Sequence, residues 1–166
     1  MNVTRAMQEE LKATVRGSVH FDEPMMKHTT MRVGGPADIW VEPADIDDLR
    51  YILEFARKED LEWYPVGRGS NLVVRDGGIR GVVISLAGID ALRVEETAHD
   101  AEVIVYAEAG VKLKRLLGLC AEEGLSGIEG LEGVPGTVGG AIRMNAGTPA
   151  GAIGDAVVSV TYIDKR

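Results

Sequence analysis

The sequence predicts an α+β fold, and three observations carry that reading. Helical and strand periodicities are mixed without strict βαβ alternation. The β-branched runs fall as short pairs around polar turns. Glycine is abundant but clustered, 21 against 6 prolines in 166 residues, so the glycines are positional and not those of a flexible linker.

The elements follow in chain order. Val3, Met7, Leu11 and Val15 recur at helical spacing, which predicts a helix over Thr4 to Arg16 that stops at Gly17. Val19 to Thr30 has no clear period and is expected to run extended over a surface. Ala37 to Val41 reads as a short strand broken by Pro43. Asp45 is a good N-cap for a helix to about Glu59, with Ile46, Leu49, Ile52, Leu53 and Ala56 on one face. Trp63 to Val66 is a strand ending at Gly67. Leu72–Val74 and Val82–Leu86 read as a strand pair around the turn Asp76-Gly77-Gly78. Leu92–Glu95 and Val103–Ala107 form a second pair around Thr97 to Asp100. Lys112 to Glu123 is a helix with Leu113, Leu116, Leu117 and Cys120 inward, ended by Gly124. Ala156 to Ile163 reads as a last strand. A seam between two lobes, 1–88 and 89–166, is expected near Gly88.

Composition excludes several classes. Hydrophobic residues make up 45% and charged residues 27%, a balance suited to a soluble globular chain. No apolar run approaches the roughly 20 residues of a membrane span, and no signal peptide is read at the N-terminus. The net charge of −8 argues against nonspecific nucleic-acid binding. A single cysteine, Cys120, allows no internal disulfide and fits a cytoplasmic location.

Two glycine-rich loops stand out. In Gly67-Arg68-Gly69-Ser70-Asn71 the missing Cβ atoms let a ligand approach the backbone. Successive N–H groups there can form an anion nest suited to a diphosphate. The spacing is neither the dinucleotide fingerprint nor a Walker loop. By itself the pattern fits a tight turn between strands better than a ligand loop. The second runs from Gly127 to Gly147, centred on Gly133-Val134-Pro135-Gly136-Thr137-Val138-Gly139-Gly140. Thr137 is placed to cap a short helix whose small residues would let its start pack on a flat ligand or a diphosphate. The alternative is a long surface loop. The apolar content of this stretch (Ile128, Leu131, Val134, Val138, Ile142, Met144) favours wrapping around something instead.

Other candidates read as structural. His20, His28 and His99 lack metal-ligand spacing. Cys120 lies on an apolar helix face. Asp45, Asp47 and Asp48 open a helix and suit its dipole. Trp40, Trp63 and Tyr64 are expected in the core or between lobes.

Four stretches, in order, resemble one known family. They are His28-Thr29-Thr30-Met31-Arg32-Val33-Gly34-Gly35-Pro36-Ala37-Asp38, Gly67-Arg68-Gly69-Ser70-Asn71-Leu72-Val73-Val74, Gly81-Val82-Val83-Ile84-Ser85-Leu86, and Gly133 to Gly147. The chain resembles the FAD-binding part of the UDP-N-acetylenolpyruvoylglucosamine reductases (UDP-N-acetylmuramate dehydrogenases). The resemblance implies a fold of the vanillyl-alcohol-oxidase (PCMH) type, two α+β lobes around FAD with the second incomplete. It implies that Gly67, Arg68, Gly69, Ser70, Asn71 and Leu72 meet the FAD diphosphate. Gly133, Val134, Pro135, Gly136, Thr137, Gly139, Gly140 and Ala141 would run beside the diphosphate and the isoalloxazine, with Asn145 and Gly147 near the flavin and the substrate side. The implied reaction passes hydride from NADPH to FAD, then to the enolpyruvyl group of a UDP-sugar in peptidoglycan precursor synthesis.

The family's catalytic arginine, proton-donating serine and C-terminal glutamate motifs are not present. The ending Tyr162-Ile163-Asp164-Lys165-Arg166 does not match the arginine motif, and Thr148-Pro149 departs from the pattern of many relatives. The expectation is therefore an N-terminal part, without catalytic residues or the closing substrate domain, that binds FAD weakly, cannot turn over alone and tends to self-associate. Two alternatives remain: a flavoprotein oxidase of the same fold, or a non-catalytic FAD-binding module. Covalent flavin attachment at His28 is disfavoured, because its neighbourhood is not glycine-rich.

Overall fold

The computed structural model describes residues 3–95 and 102–164. Thr4 caps the first helix, α1 (Arg5–Thr14), by accepting the Met7 N–H at 3.3 Å. Met7, Leu11 and Val15 turn one side of it inward. The run expected to lie extended over a surface is extended at its start, where it forms an edge strand, β1 (Ser18–Pro24). It pairs antiparallel with β2 (Pro36–Glu42) from Ser18↔Glu42 to Pro24↔Pro36. Only Val19 and Phe21 alternate with polar residues before Asp22, Glu23 and Pro24 break the period, too short a run to mark a strand without its partner.

Asp45 caps α2 (Ile46–Lys58) as expected, accepting the Asp48 N–H at 2.9 Å. The buried face is carried by Ile52, Phe55 and Ala56, while Ile46 at the first turn stays exposed. After α2, β3 (Trp63–Val66) and β4 (Ile79–Ser85) complete a sheet of order β1-β2-β4-β3, with β2, β3 and β4 mutually parallel.

This sheet overturns the expected Leu72–Val74 hairpin. Parallel neighbours cannot be joined by a tight turn; the chain must travel back along the sheet, typically over about a dozen residues or more. Residues 67–78 make that return without strand structure. Val74 is buried on the way, against Met25, Trp40 and Val83. The Asp76-Gly77-Gly78 turn aims the chain into β4, and does not reverse a hairpin.

The sheet has two covered faces. Ile39, Val41, Val82 and Ile84 face α1 and α2, meeting Leu11, Ile52 and Phe55. Trp40 and Val83 face Met25 and Val74 on the other side. Tyr64, expected in the core or between lobes, is exposed on the edge strand β3.

The second half builds a separate cluster. β5 (Leu92–Glu95) and β6 (Ile104–Ala107) pair antiparallel; the turn expected at Thr97 to Asp100, and His99 with it, lie outside the described residues. On α3 (Leu113–Glu122), Leu113, Leu116 and Cys120 are buried. They meet Leu131 of a 3-10 turn (Glu129–Leu131), Val138 and Ala141 of α4 (Val138–Met144), and Ile153 of a second 3-10 turn (Ile153–Asp155). A small hairpin, β7 (Gly147–Thr148) with β8 (Gly151–Ala152), lies between the last two.

The last expected strand does not form. Residues 157–163 lack strand pairing, and Val158, Val160 and Tyr162 are exposed. Their β propensity is high, but a strand needs an edge to pair with.

Asp48 ties the first half together. Its side chain is buried and accepts the N–H groups of Arg16 (3.1 Å), Gly17 (2.9 Å) and Ala44 (2.9 Å). Its place among three dipole-suited carboxylates is evident from the sequence; the structure makes it the joint between α1, β1 and the start of α2. Replacing it, Asp48→Ala, strands three donors and should cost about 2–4 kcal/mol of stability, read from the denaturant midpoint.

Glu23, on β1, accepts from His28 at 3.0 Å and Lys27 at 3.3 Å. The His28 hydrogen bond, outweighing burial, holds its carboxyl below the usual 4.5. A depressed carboxyl contributes stability above that value and loses it as pH falls through the folded value. Glu23→Gln should therefore be less stable than wild type at pH 7, and the gap should close below pH 4.5 in paired thermal melts.

Candidate functional site

The return of β3 to β4 places the first glycine loop at the C-terminal edge of the parallel strands. In open sheets with parallel strands that edge is where ligands bind. Gly67 follows Val66 directly, where β3 runs out. Gly69 has φ +63° and packs on the backbone of the segment after β1. A Cβ there would lie 2.0 Å from the His28 carbonyl oxygen. Thr30 N–H donates to the Gly69 carbonyl at 3.1 Å, so the loop is gripped from this side by residues 28–30.

The second glycine loop closes on its other side. A Cβ on Gly67 would come within 2.7 Å of the Thr137 hydroxyl oxygen. Ser70 Oγ donates to the Pro135 carbonyl at 3.5 Å. Two segments far apart in sequence thus meet at one place. The loop's own backbone stays unspent: among the described residues, the N–H groups of Gly67, Arg68, Gly69, Ser70 and Asn71 meet no protein acceptor. Gly69 is buried and the other four are exposed. Arg68 makes no ion pair among the described residues, so its positive charge is left uncompensated beside these donors.

The second loop divides its roles. Thr137 caps α4 as the sequence predicts, accepting the Gly140 N–H at 3.4 Å. The other early donors of the helix are spent within the protein: Val138 on Val111, Gly139 on Ala109 and Ala141 on Thr137. The start of α4 therefore offers a ligand no free donor at these positions. From Gly133 to Ala141, the N–H groups of Gly133, Gly136 and Thr137 are those without a protein acceptor among the described residues. Ala141 is buried in the second core cluster, and Val134 and Ile142 pack at its margin.

Asn145 and Gly147 lie beyond the other end of α4, about 10 Å along from Thr137 at the rise of a helix. Asn145 adopts φ +45°, and its Oδ1 accepts the Gly154 N–H at 3.1 Å. Gly147 pairs with Ala152. Both are thus built into the hairpin and its 3-10 turn. Leu72 packs at the margin of the Met25–Trp40–Val83 cluster.

Nothing in the sequence assigns His28 to Thr30 a role in shaping the first glycine loop, and the structure packs their backbone against it. Thr29 is buried, and its hydroxyl donates to the Val33 carbonyl at 2.8 Å. The His28 ring stacks on Trp40 at 3.7 Å between centroids and bonds to Glu23. No local pattern signals this, because Glu23, Trp40 and Gly69 converge only in three dimensions. Met31, Val33 and Val73, exposed on the segments flanking Gly69, give the surroundings an apolar character.

Cys120 is buried, and burial pushes its thiol above the usual range. Among the described residues, no group of three His, Cys, Asp or Glu side chains is placed to hold a metal, and no helix is long and apolar enough to cross a membrane.

This arrangement has counterparts. Residues 37–166 match the FAD binding domain family. A UDP-N-acetylenolpyruvoylglucosamine reductase from Syntrophus aciditrophicus is 45% identical over 96% of this chain and 51% of its own length. The crystal structure of UDP-N-acetylenolpyruvylglucosamine reductase from Thermus caldophilus aligns with a TM-score of 0.63 at 31% identity, covering 84% of this chain and 46% of that one. An alkyldihydroxyacetonephosphate synthase structure shares the fold with a TM-score of 0.69 at 19% identity, over 93% of this chain and 32% of that one. The chain spans about half the length of the curated relatives it matches. With an α+β framework of the PCMH type and a match over most of its length, the chain belongs to the FAD binding domain family, in the form carried by the UDP-N-acetylenolpyruvoylglucosamine reductases.

Proposed function

We propose that the meeting of the two glycine loops is the seat of the FAD diphosphate. One observation carries this: Gly67 abuts Thr137, Ser70 reaches Pro135, and the N–H groups of Gly67–Asn71, Gly136 and Thr137 have no acceptor among the described residues. Bare amides at close-packed glycines suit an anion of this size, and the Arg68 charge favours it further. Gly67, Arg68, Gly69, Ser70, Asn71 and Leu72 hold the diphosphate from one side. Gly133, Val134, Pro135, Gly136 and Thr137 hold it from the other. Gly139 and Gly140 provide a side-chain-poor wall beside the flavin. Ala141, buried in the core, backs that wall and does not face the ligand, and Asn145 and Gly147 fix the hairpin on the flavin and substrate side. When bound, FAD supplies two-electron hydride chemistry; the protein supplies position and electrostatics.

The activity we assign to the whole enzyme is reduction of UDP-N-acetylenolpyruvoylglucosamine to UDP-N-acetylmuramate, with NADPH as hydride donor, in cytoplasmic peptidoglycan precursor synthesis. Relatives of that name at 40–49% identity support it. These 166 residues bind FAD but do not turn over alone, because the relatives that carry the activity are about twice as long. The exposed Val158, Val160 and Tyr162 favour self-association. The flavin is held noncovalently, since the His28 ring is engaged by Trp40 and Glu23.

FAD titrated into flavin-free protein should bind and quench flavin fluorescence. Gly69→Ala, which drives a methyl into the His28 carbonyl and strains a left-handed backbone, should weaken that binding by about tenfold or more. Equal affinity in the variant would remove the loop from the site. Incubated with NADPH and UDP-N-acetylenolpyruvoylglucosamine, the chain should oxidise no NADPH; steady turnover would show that it is a complete enzyme. Acid precipitation of the yellow protein should leave the flavin in solution, and a coloured pellet would point to an oxidase-like covalent linkage instead.

A further inference from the structure

We propose that His28 is a positioning residue for the Gly67–Asn71 loop, acting through its own backbone on Gly69. The inference rests on reading that loop as the diphosphate seat, and adds what fixes its shape.

The His28 side chain is clamped at both ends. Its ring lies nearly parallel to the Trp40 indole, 3.7 Å between centroids and 21° between planes. Trp40 is itself 3% exposed at the centre of β2, so it is a fixed surface. The His28 Nε2 lies 3.0 Å from Glu23 Oε1. Lys27 Nζ, 3.3 Å from the same oxygen, is the other charged group on this pair. The His28 N–H donates to the Met25 carbonyl at 2.8 Å, closing a 3-10 turn. Ring and backbone are therefore both held, and the His28 carbonyl has little freedom.

That carbonyl is the surface on which Gly69 rests, within 2.0 Å of where a Cβ would stand. One residue further on, Thr29 bonds to Val33 through its hydroxyl, and Thr30 N–H takes the Gly69 carbonyl. A chain of contacts runs from Trp40 through the His28 ring and backbone to Gly69. Gly69 sits mid-loop, so its position sets the direction of the N–H groups on either side. Rigid supports of this kind raise affinity by lowering the ordering cost of binding, without touching the ligand.

Three measurements on one set of variants test this: FAD affinity, amide hydrogen exchange of flavin-free protein, and thermal stability. His28→Ala should weaken FAD binding about tenfold. It should speed exchange at residues 67–71 while β2 and β4 keep their protection. His28→Phe, which keeps a ring on Trp40 but loses the bond to Glu23, should recover part of both effects. Glu23→Gln leaves the stack in place and should show the same pattern at smaller amplitude, which covers the case of a His28→Ala protein that does not fold. Wild-type affinity in His28→Ala, or exchange that rises equally in β2, β4 and the loop, would overturn the positioning role. If wild-type protein binds no FAD, the diphosphate seat is wrong, and the exchange comparison still decides whether His28 orders the loop.

Discussion

The loop at Gly67–Asn71 can follow its path only because two of its residues have no Cβ. Gly69 lies against the His28 carbonyl and Gly67 against the Thr137 hydroxyl, each closer than any side chain allows. Those contacts join the sheet with its two helices to the cluster built on α3 and α4. The same contacts keep the intervening N–H groups turned away from protein acceptors. Packing and binding potential therefore have one origin, the close approach of bare backbone.

Sheet direction explains where this loop sits. Had β3 and β4 been antiparallel, a short turn would have joined them. Because they are parallel, the chain leaves β3 at one edge of the sheet and must return to begin β4 at the other. The departure point is the C-terminal edge, and the return path buries Val74 under the sheet. Trp40, on that same face, carries the His28 ring. One face thus supports the site, while the other is committed to α1 and α2.

The second half shows how little of a glycine-rich segment is left loose. Thr137 caps α4, Asn145 fastens the turn at Gly154, and Gly147 closes the hairpin with Ala152. The donors at the start of α4 are used inside the protein, and in the run just before it the N–H groups of Gly133, Gly136 and Thr137 have no protein acceptor among the described residues. Residues 157–163 are the exception. They have strand composition, and no strand pairs with them among the described residues.

The sequence by itself determined the helices, the caps at Asp45 and Thr137, the strand pair at 92–95 and 104–107, and the family. These rest on local rules: periodicity, capping chemistry and motifs read over a few neighbouring residues. The family motifs also named both glycine loops. Only the tertiary structure decided that β1 is a strand, that Leu72–Val74 is not, and that Asp48 joins three segments. It alone brought Glu23, His28 and Trp40 under Gly69. Strand pairing and buried polar contacts depend on partners tens of residues away, and no local pattern encodes which partner arrives.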